Sequence, residues 1–188
     1  YYRTACAVRQ GHAHEEEIQK LELLMRSLHL ELACRTTVTS ALDIAQKTSE
    51  PAMAIELNDG RIITGKTSPL LGAAAAALLN ALKELANIAD QINLISPTVI
   101  EPIQKLKVDH MGNHNPRLHT DEILIALAIC AVTDVNAAQA MDQLEKLRGC
   151  EAHSSVILSS VDEGVFAKLG VNLTCEPCYQ TNKLYHKP

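Results

Sequence analysis

The chain has 188 residues, a formal net charge of −5 and no Lys/Arg block, which disfavours a general nucleic-acid surface. Hydrophobic residues make up 47% and charged residues 21%, the balance of a folded protein, but only 3% are aromatic, so the core must be aliphatic and base-stacking platforms are disfavoured. No apolar run approaches the roughly 20 residues that cross a bilayer, and the six scattered cysteines lack a secreted scaffold's density, which predicts a reducing, cytoplasmic setting.

Residues 15–33 carry Ile18, Leu21, Met25, Leu28 and Leu32 at helical spacing, with Glu15, Glu16 and Glu17 at the positive end of the helix dipole. A second helix is expected at 37–47, ended by Pro51. Segments 52–57 and 61–64 read as hairpin arms around Asn58-Asp59-Gly60. A long helix follows over 69–89, with Pro69 in its first turn and Leu78, Leu82 and Leu85 on its core face. A short strand is expected at 93–95, a helix at 97–106 and a polar loop at 107–119. Thr120 is the expected N-cap of a helix over 121–132, apolar nearly all round and hence central. Helix 136–147, strand 154–158, helix 160–169 and strand 171–174 complete the pattern, followed by a polar, irregular tail over 179–188. Cys34 and Cys130 fall in apolar helical runs and are expected to be buried.

Strands separated by helices imply an α/β fold with a mixed sheet: a helical subdomain over 1–50, then an α/β/α subdomain over 51–188. The opening Tyr-Tyr-Arg, without Met, suggests a fragment of a longer protein.

Gly60-Arg-Ile-Ile-Thr-Gly-Lys-Thr67 satisfies the spacing of a phosphate-binding loop. Its first glycine belongs to a hairpin turn, and its four central residues are strand formers, so the match is read as accidental. Lys66, Thr67 and Ser68 still precede a helix start, where an anion is favoured.

The densest polar stretch runs from Asp109 to Glu122, with three His, two Asp, one Glu and one Arg leading into a helix N-terminus. Arg117, Thr120 and Lys66 are the anion-binding candidates, and His119 with Arg117 the catalytic ones. His110, His114 and His119 offer a metal reading, against which Gly112 and Pro116 break a single helix face. Cys175-Glu-Pro-Cys178 offers a redox or zinc reading but lacks a second pair. No metal site is assigned, and no cofactor is named. Ser154 and Ser155 lack a nucleophile elbow.

Several strings resemble one family. They are Pro51-Ala-Met-Ala-Ile-Glu-Leu-Asn-Asp-Gly60, Thr64-Gly-Lys-Thr-Ser68, Leu79-Asn-Ala-Leu-Lys83, Ile95-Ser-Pro97, Ile100-Glu-Pro-Ile-Gln104, Asn115-Pro-Arg-Leu-His-Thr-Asp-Glu122, Gly149-Cys-Glu-Ala-His153 and Lys183-Leu-Tyr-His-Lys187. The chain resembles the C-terminal part of the bacterial domain of unknown function eighteen-forty-six. The resemblance implies a helical subdomain followed by a three-layer α/β/α subdomain, similar in topology to cytidine deaminases without their zinc ligands. It also implies a missing N-terminal half with its own Gly-Ser-Gly-Lys segment, and another residue at the second position of Cys175-x-x-Cys178. It carries over no catalytic residue. Three functions stay open: part of an enzyme acting on a phosphate-bearing or nucleotide ligand, a non-catalytic module that packs against the N-terminal half or a second copy, and a metal or redox protein. Neither nucleic acid nor membrane is an expected partner.

Overall fold

The computed structural model describes residues 1–180, and the string Lys183-Leu-Tyr-His-Lys187 lies outside them. Eight α-helices and four strands are formed among the described residues. Helices α1 (Tyr2–Arg9), α2 (Glu15–Ser27) and α3 (Thr36–Thr48) precede strands β1 (Ala52–Glu56) and β2 (Ile62–Lys66). Helices α4 (Ala73–Leu85), α5 (Pro97–Lys105), α6 (Thr120–Cys130) and α7 (Val135–Met141) lead to β3 (Glu151–Ser154), α8 (Ser160–Lys168) and β4 (Asn172–Cys175). The sheet order is β2-β1-β3-β4; β1 is antiparallel to both its neighbours, and β3 and β4 are parallel.

The hairpin forms as its sequence predicts. Leu57 and Arg61 close the turn, and Gly60 takes φ +85°, a conformation that glycine adopts without a Cβ penalty. Gly65, the second glycine of the apparent phosphate-binding motif, lies inside β2 and is buried. A Cβ there would sit 2.6 Å from Ala77 Cα of α4 and closer still to its N. The motif therefore records a strand and its close approach to a helix, and the phosphate-loop reading falls.

Strand β1 is buried on both faces. Met53 and Ile55 share a face with their partners Gly65 and Ile63, and join the aliphatic core built by α4 (Leu78, Leu82), α6 (Ile123, Leu127) and α8 (Phe166). Ala54 shares the opposite face with His153 and Thr174, under α3 and Tyr2 of α1. Helix α3 thus lies on the sheet, although the sequence groups it with the first helical section.

Several expectations are corrected. The helix read over 15–33 ends at Ser27, because His29 turns to φ 54°; Leu32–Cys34 is a separate 3-10 turn, and Cys34 is exposed. No residue of α2 is buried. Helix α4 starts at Ala73, since the Ser68 hydroxyl holds Leu70 and Leu71 in a turn. No strand forms over 93–95. Part of the expected loop at 107–119 is a π turn, Leu106–His110, continuing α5. Helix α6 has an exposed face, with Ile125 63% and Ile129 64% accessible; Val132, beyond its end, is 82% accessible, and Cys130 is only partly covered. Apolar composition all round said nothing about which face would find a neighbour. Strand β3 starts at Glu151, three residues before the expected start.

His153 is wholly buried in β3, its Nδ1 bonded to Thr174 Oγ1 (2.9 Å) and its Nε2 to Glu176 Oε1 (3.2 Å). Burial, helped by Arg35, lowers its pKa to about 4, while burial raises that of Glu176. The contact is therefore a hydrogen bond of a neutral imidazole rather than an ion pair. Because the unfolded state takes up this proton near pH 6.5, stability is expected to fall as pH drops from about 6.5 towards 4. His153→Gln should flatten that dependence, read from urea midpoints across the window.

Candidate functional site

Topology gathers one edge of the sheet. Since β2 and β3 run antiparallel to β1, and β4 runs with β3, the carboxyl ends of β2, β3 and β4 meet beside the start of β1. In open α/β sheets ligands settle at such an edge. The chain leaves β2 through Thr67–Gly72 into α4, and leaves β3 through 155–159 into α8. A bridge between Leu71 and Leu118, with Gly72 N donating to Leu118 O, sets the entry of α6 beside that of α4. The N-termini of three helices thus surround one cavity of about 60 Å³, lined among others by Gly72, Ala73, Ala74, Arg117, His119, Ser159 and Asp162.

The centre of its wall is Asp162, on the first turn of α8 and almost fully buried. Its Oδ1 accepts the Thr120 N–H and the Thr120 hydroxyl, both at 2.9 Å. Its Oδ2 accepts the Ser159 hydroxyl at 2.8 Å and lies 2.9 Å from His119 Nδ1. Burial pushes the Asp162 pKa up, but the donors, His119 foremost, outweigh it and hold the carboxyl below its usual range. His119 is raised, chiefly by its hydrogen bond to Asp162 and against its own burial. The imidazole is thereby held through Nδ1.

A second layer holds His119 and Arg117. The His119 N–H donates to Glu122 Oε2 (2.8 Å), closing the first turn of α6, so His119 and not Thr120 is the N-cap. Lys107, from the π turn, is buried and donates to the same Glu122 oxygen and to Arg117 O, each at 2.7 Å. Arg117 Nε donates to Ser68 O at 2.8 Å, and Asn115 Oδ1 accepts the Arg117 N–H at 3.1 Å. Among the described residues, no acceptor meets the two terminal guanidinium nitrogens of Arg117, nor the N–H groups of Ala73, Ala74 and Ala75, all three residues being buried.

The sequence candidates are placed as follows. Arg117 and His119 line the cavity together. Thr120 has another duty: it is fully buried and both its donors serve Asp162, so the protein's own carboxylate holds the place of an external anion at α6. Lys66 ends β2 exposed and does not line the cavity. Asp162 and Ser159 were missed. Ser159-Ser-Val-Asp162 has the spacing of a helix-start box, which marks a cap but not a carboxylate turned towards another helix.

Among the described residues no group of His, Cys, Asp and Glu is arranged to hold a metal ion. Burial pushes the Cys175 thiol up to about 12 and raises Cys178 as well, opposite to the lowered pKa that a redox pair needs. Ser154 and Ser155 spend their hydroxyls on the backbone around β1 and β3. No described helix is long and apolar enough to cross a membrane.

Fold and site define an α/β domain with a mixed four-stranded sheet and a cavity at its strand ends. The chain belongs to the family described as "domain of unknown function DUF1846, C-terminal", whose model matches residues 33–185. It is 50% identical over 187 residues to a UPF0371 protein of Corynebacterium efficiens, 48% to one of Corynebacterium glutamicum and 49% to one of Streptococcus pneumoniae strain P1031. Each match covers 100% of this chain and 38% of the relative, so the chain corresponds to part of a longer protein in these bacteria.

Proposed function

We propose that this domain holds the phosphate or carboxylate group of a ligand between Arg117 and the first turn of α4, and that His119, oriented by Asp162, exchanges a proton with it. The observation that carries this is the meeting, in one cavity, of Arg117 and buried helix-start N–H groups, both without protein acceptors among the described residues, and a carboxylate-oriented histidine. Helix-start N–H groups and a guanidinium fork favour anions. The cavity matches roughly two waters at about 30 Å³ each, so it takes one small acidic group and leaves the body of a ligand outside. In the longer protein this part would belong to an enzyme. Its strand ends would play the part they play in a deaminase-like layout, with acid–base chemistry in place of zinc.

The test is an amide NMR titration with inorganic phosphate. Shifts are expected at Ala73, Ala74 and Ala75, and Arg117→Gln should weaken binding at least tenfold, about 1.4 kcal/mol. Absence of those shifts, or equal affinity in the variant, would reject the reading.

A second reading rests on exposed apolar surface. Leu24 of α2 and Leu28 at its C-terminal end are 54% and 57% accessible, and Ile125 and Ile129 of α6, with Val132 just beyond it, are exposed. We take these as packing surfaces for the remainder of the longer chain or a second copy. Leu24→Asp with Leu28→Asp should lower the melting temperature of a full-length relative while leaving that of this domain alone unchanged.

A further inference from the structure

A second, larger cleft opens on the far side of His119. It has a volume of about 370 Å³ and shares His119 and Asn115 with the small cavity. Its polar lining mixes carboxamides, imidazoles and carboxylates, with His114 and His119 among them. Asn113 and Asn115 offer amides, and Asp121 and Glu122 offer carboxylates from the first turn of α6. Lys107, also at this cleft, is buried, and its ammonium serves Glu122 and Arg117 O. Among the described residues, no protein partner meets the Asn113 amide, the Asn115 NH2 group or the second Asp121 oxygen.

This lining selects by chemistry. Lys107 is spent on Glu122, which leaves the Asp121 carboxylate to oppose a second anionic group, so the part of the ligand lying here is neutral. Carboxylate oxygens and carboxamides together suit hydroxyl groups, which both donate and accept. Val161 is the one apolar side chain of the described lining, and its only rings are the imidazoles of His114 and His119, smaller stacking surfaces than Phe, Tyr or Trp would give a nucleobase. The acidic group and the hydroxylated body would then meet at His119.

We infer that the ligand is a phosphorylated or carboxylated sugar or polyol, its acidic group in the small cavity and its hydroxyl-bearing body in the cleft beside Asn113 and Asp121. The inference rests on the anion site proposed above and adds the class of molecule that carries the anion. It also favours a sugar over a nucleotide among the alternatives left by the sequence.

The intact chain is titrated with inorganic phosphate, ribose 5-phosphate, glucose 6-phosphate, 3-phosphoglycerate, AMP and free glucose. At least one sugar phosphate or the phosphorylated hydroxy acid is expected to bind tenfold or more tightly than phosphate. AMP should gain nothing over its ribose 5-phosphate part. Asn113→Leu and Asp121→Ala, both at accessible positions, should bring that probe back to within threefold of phosphate while phosphate binding itself stays unchanged. If phosphate binds and shifts Ala73–Ala75 but no hydroxylated probe gains over it, the class is wrong and the anion site stands. If AMP binds more tightly than ribose 5-phosphate, a base is recognised and the inference is overturned. If neither phosphate nor any probe binds, the anion site and the inference fail together.

Discussion

Gly65→Ala is expected to destabilise the domain by about 3 kcal/mol, the upper end for overpacking a well-filled core. The added methyl would meet the backbone of Ala76 and Ala77, and backbone inside a helix cannot step aside as the end of a flexible side chain can. Relief would require α4 to move off β2, opening the core around Met53, Ile55 and Leu78. At about 2–4 °C per kcal/mol for a chain of this size, the melting temperature should fall by roughly 6–12 °C. Thermal unfolding followed by circular dichroism measures it; a loss below about 2 °C would show that α4 does not press on β2 as described. A glycine kept for a phosphate and not for a helix would accept the methyl with little loss of stability.

Asp162→Ala is the second large effect, again about 3 kcal/mol or more, the cost of removing one partner from a buried charged pair. The Thr120 N–H and hydroxyl lose their acceptor inside the protein, and His119 and Ser159 lose theirs beside the cavity. The loss should depend on pH in a defined way. Asp162 is held below its usual range, so its contribution is present above about pH 4 and is lost as pH falls through the lowered value. His119 is raised, so its contribution is complete below about pH 6.5 and is lost as pH rises through the raised value. The gap between wild type and variant should therefore be widest between about pH 4 and 6.5, and narrow on both sides. Urea unfolding of both proteins at acid, intermediate and alkaline pH gives the gap directly, and the His153 contribution cancels in the difference. A gap independent of pH would mean that the pair is not ionised.

How much of this was legible in the sequence depended on the range of the interaction involved. The hairpin turn at Asn58-Asp59-Gly60 and the helix start at Ser96-Pro97 are local, and they were readable. The exposure of Ile125 and Ile129 was not, because an apolar run specifies surface that wants cover without saying which side receives it. The break after Ser27 was also hidden: Leu28-His29-Leu30 contains no glycine, yet His29 turns to φ 54°. In the site, Arg117 and His119 stood out by their density of polar neighbours. Asp162 did not, since it lies 43 residues from His119 and meets it only through the packing of α8 against α6. Thr120 was chosen as an anion donor for a sound reason, its place at a helix start, but the anion it meets is Asp162.

Helix α2 packs chiefly on α1, and α1 in turn rests on β4. An isolated helix of 13 residues is marginal in water. With no buried residue of its own, α2 can open without disturbing the sheet. Its amides should therefore exchange with solvent through a local event of low free energy, while those of β1 and α4 wait for the whole domain to unfold. On the packing reading proposed above, the same segment would gain protection where the longer protein covers Leu24 and Leu28, and its exchange rate would report that contact.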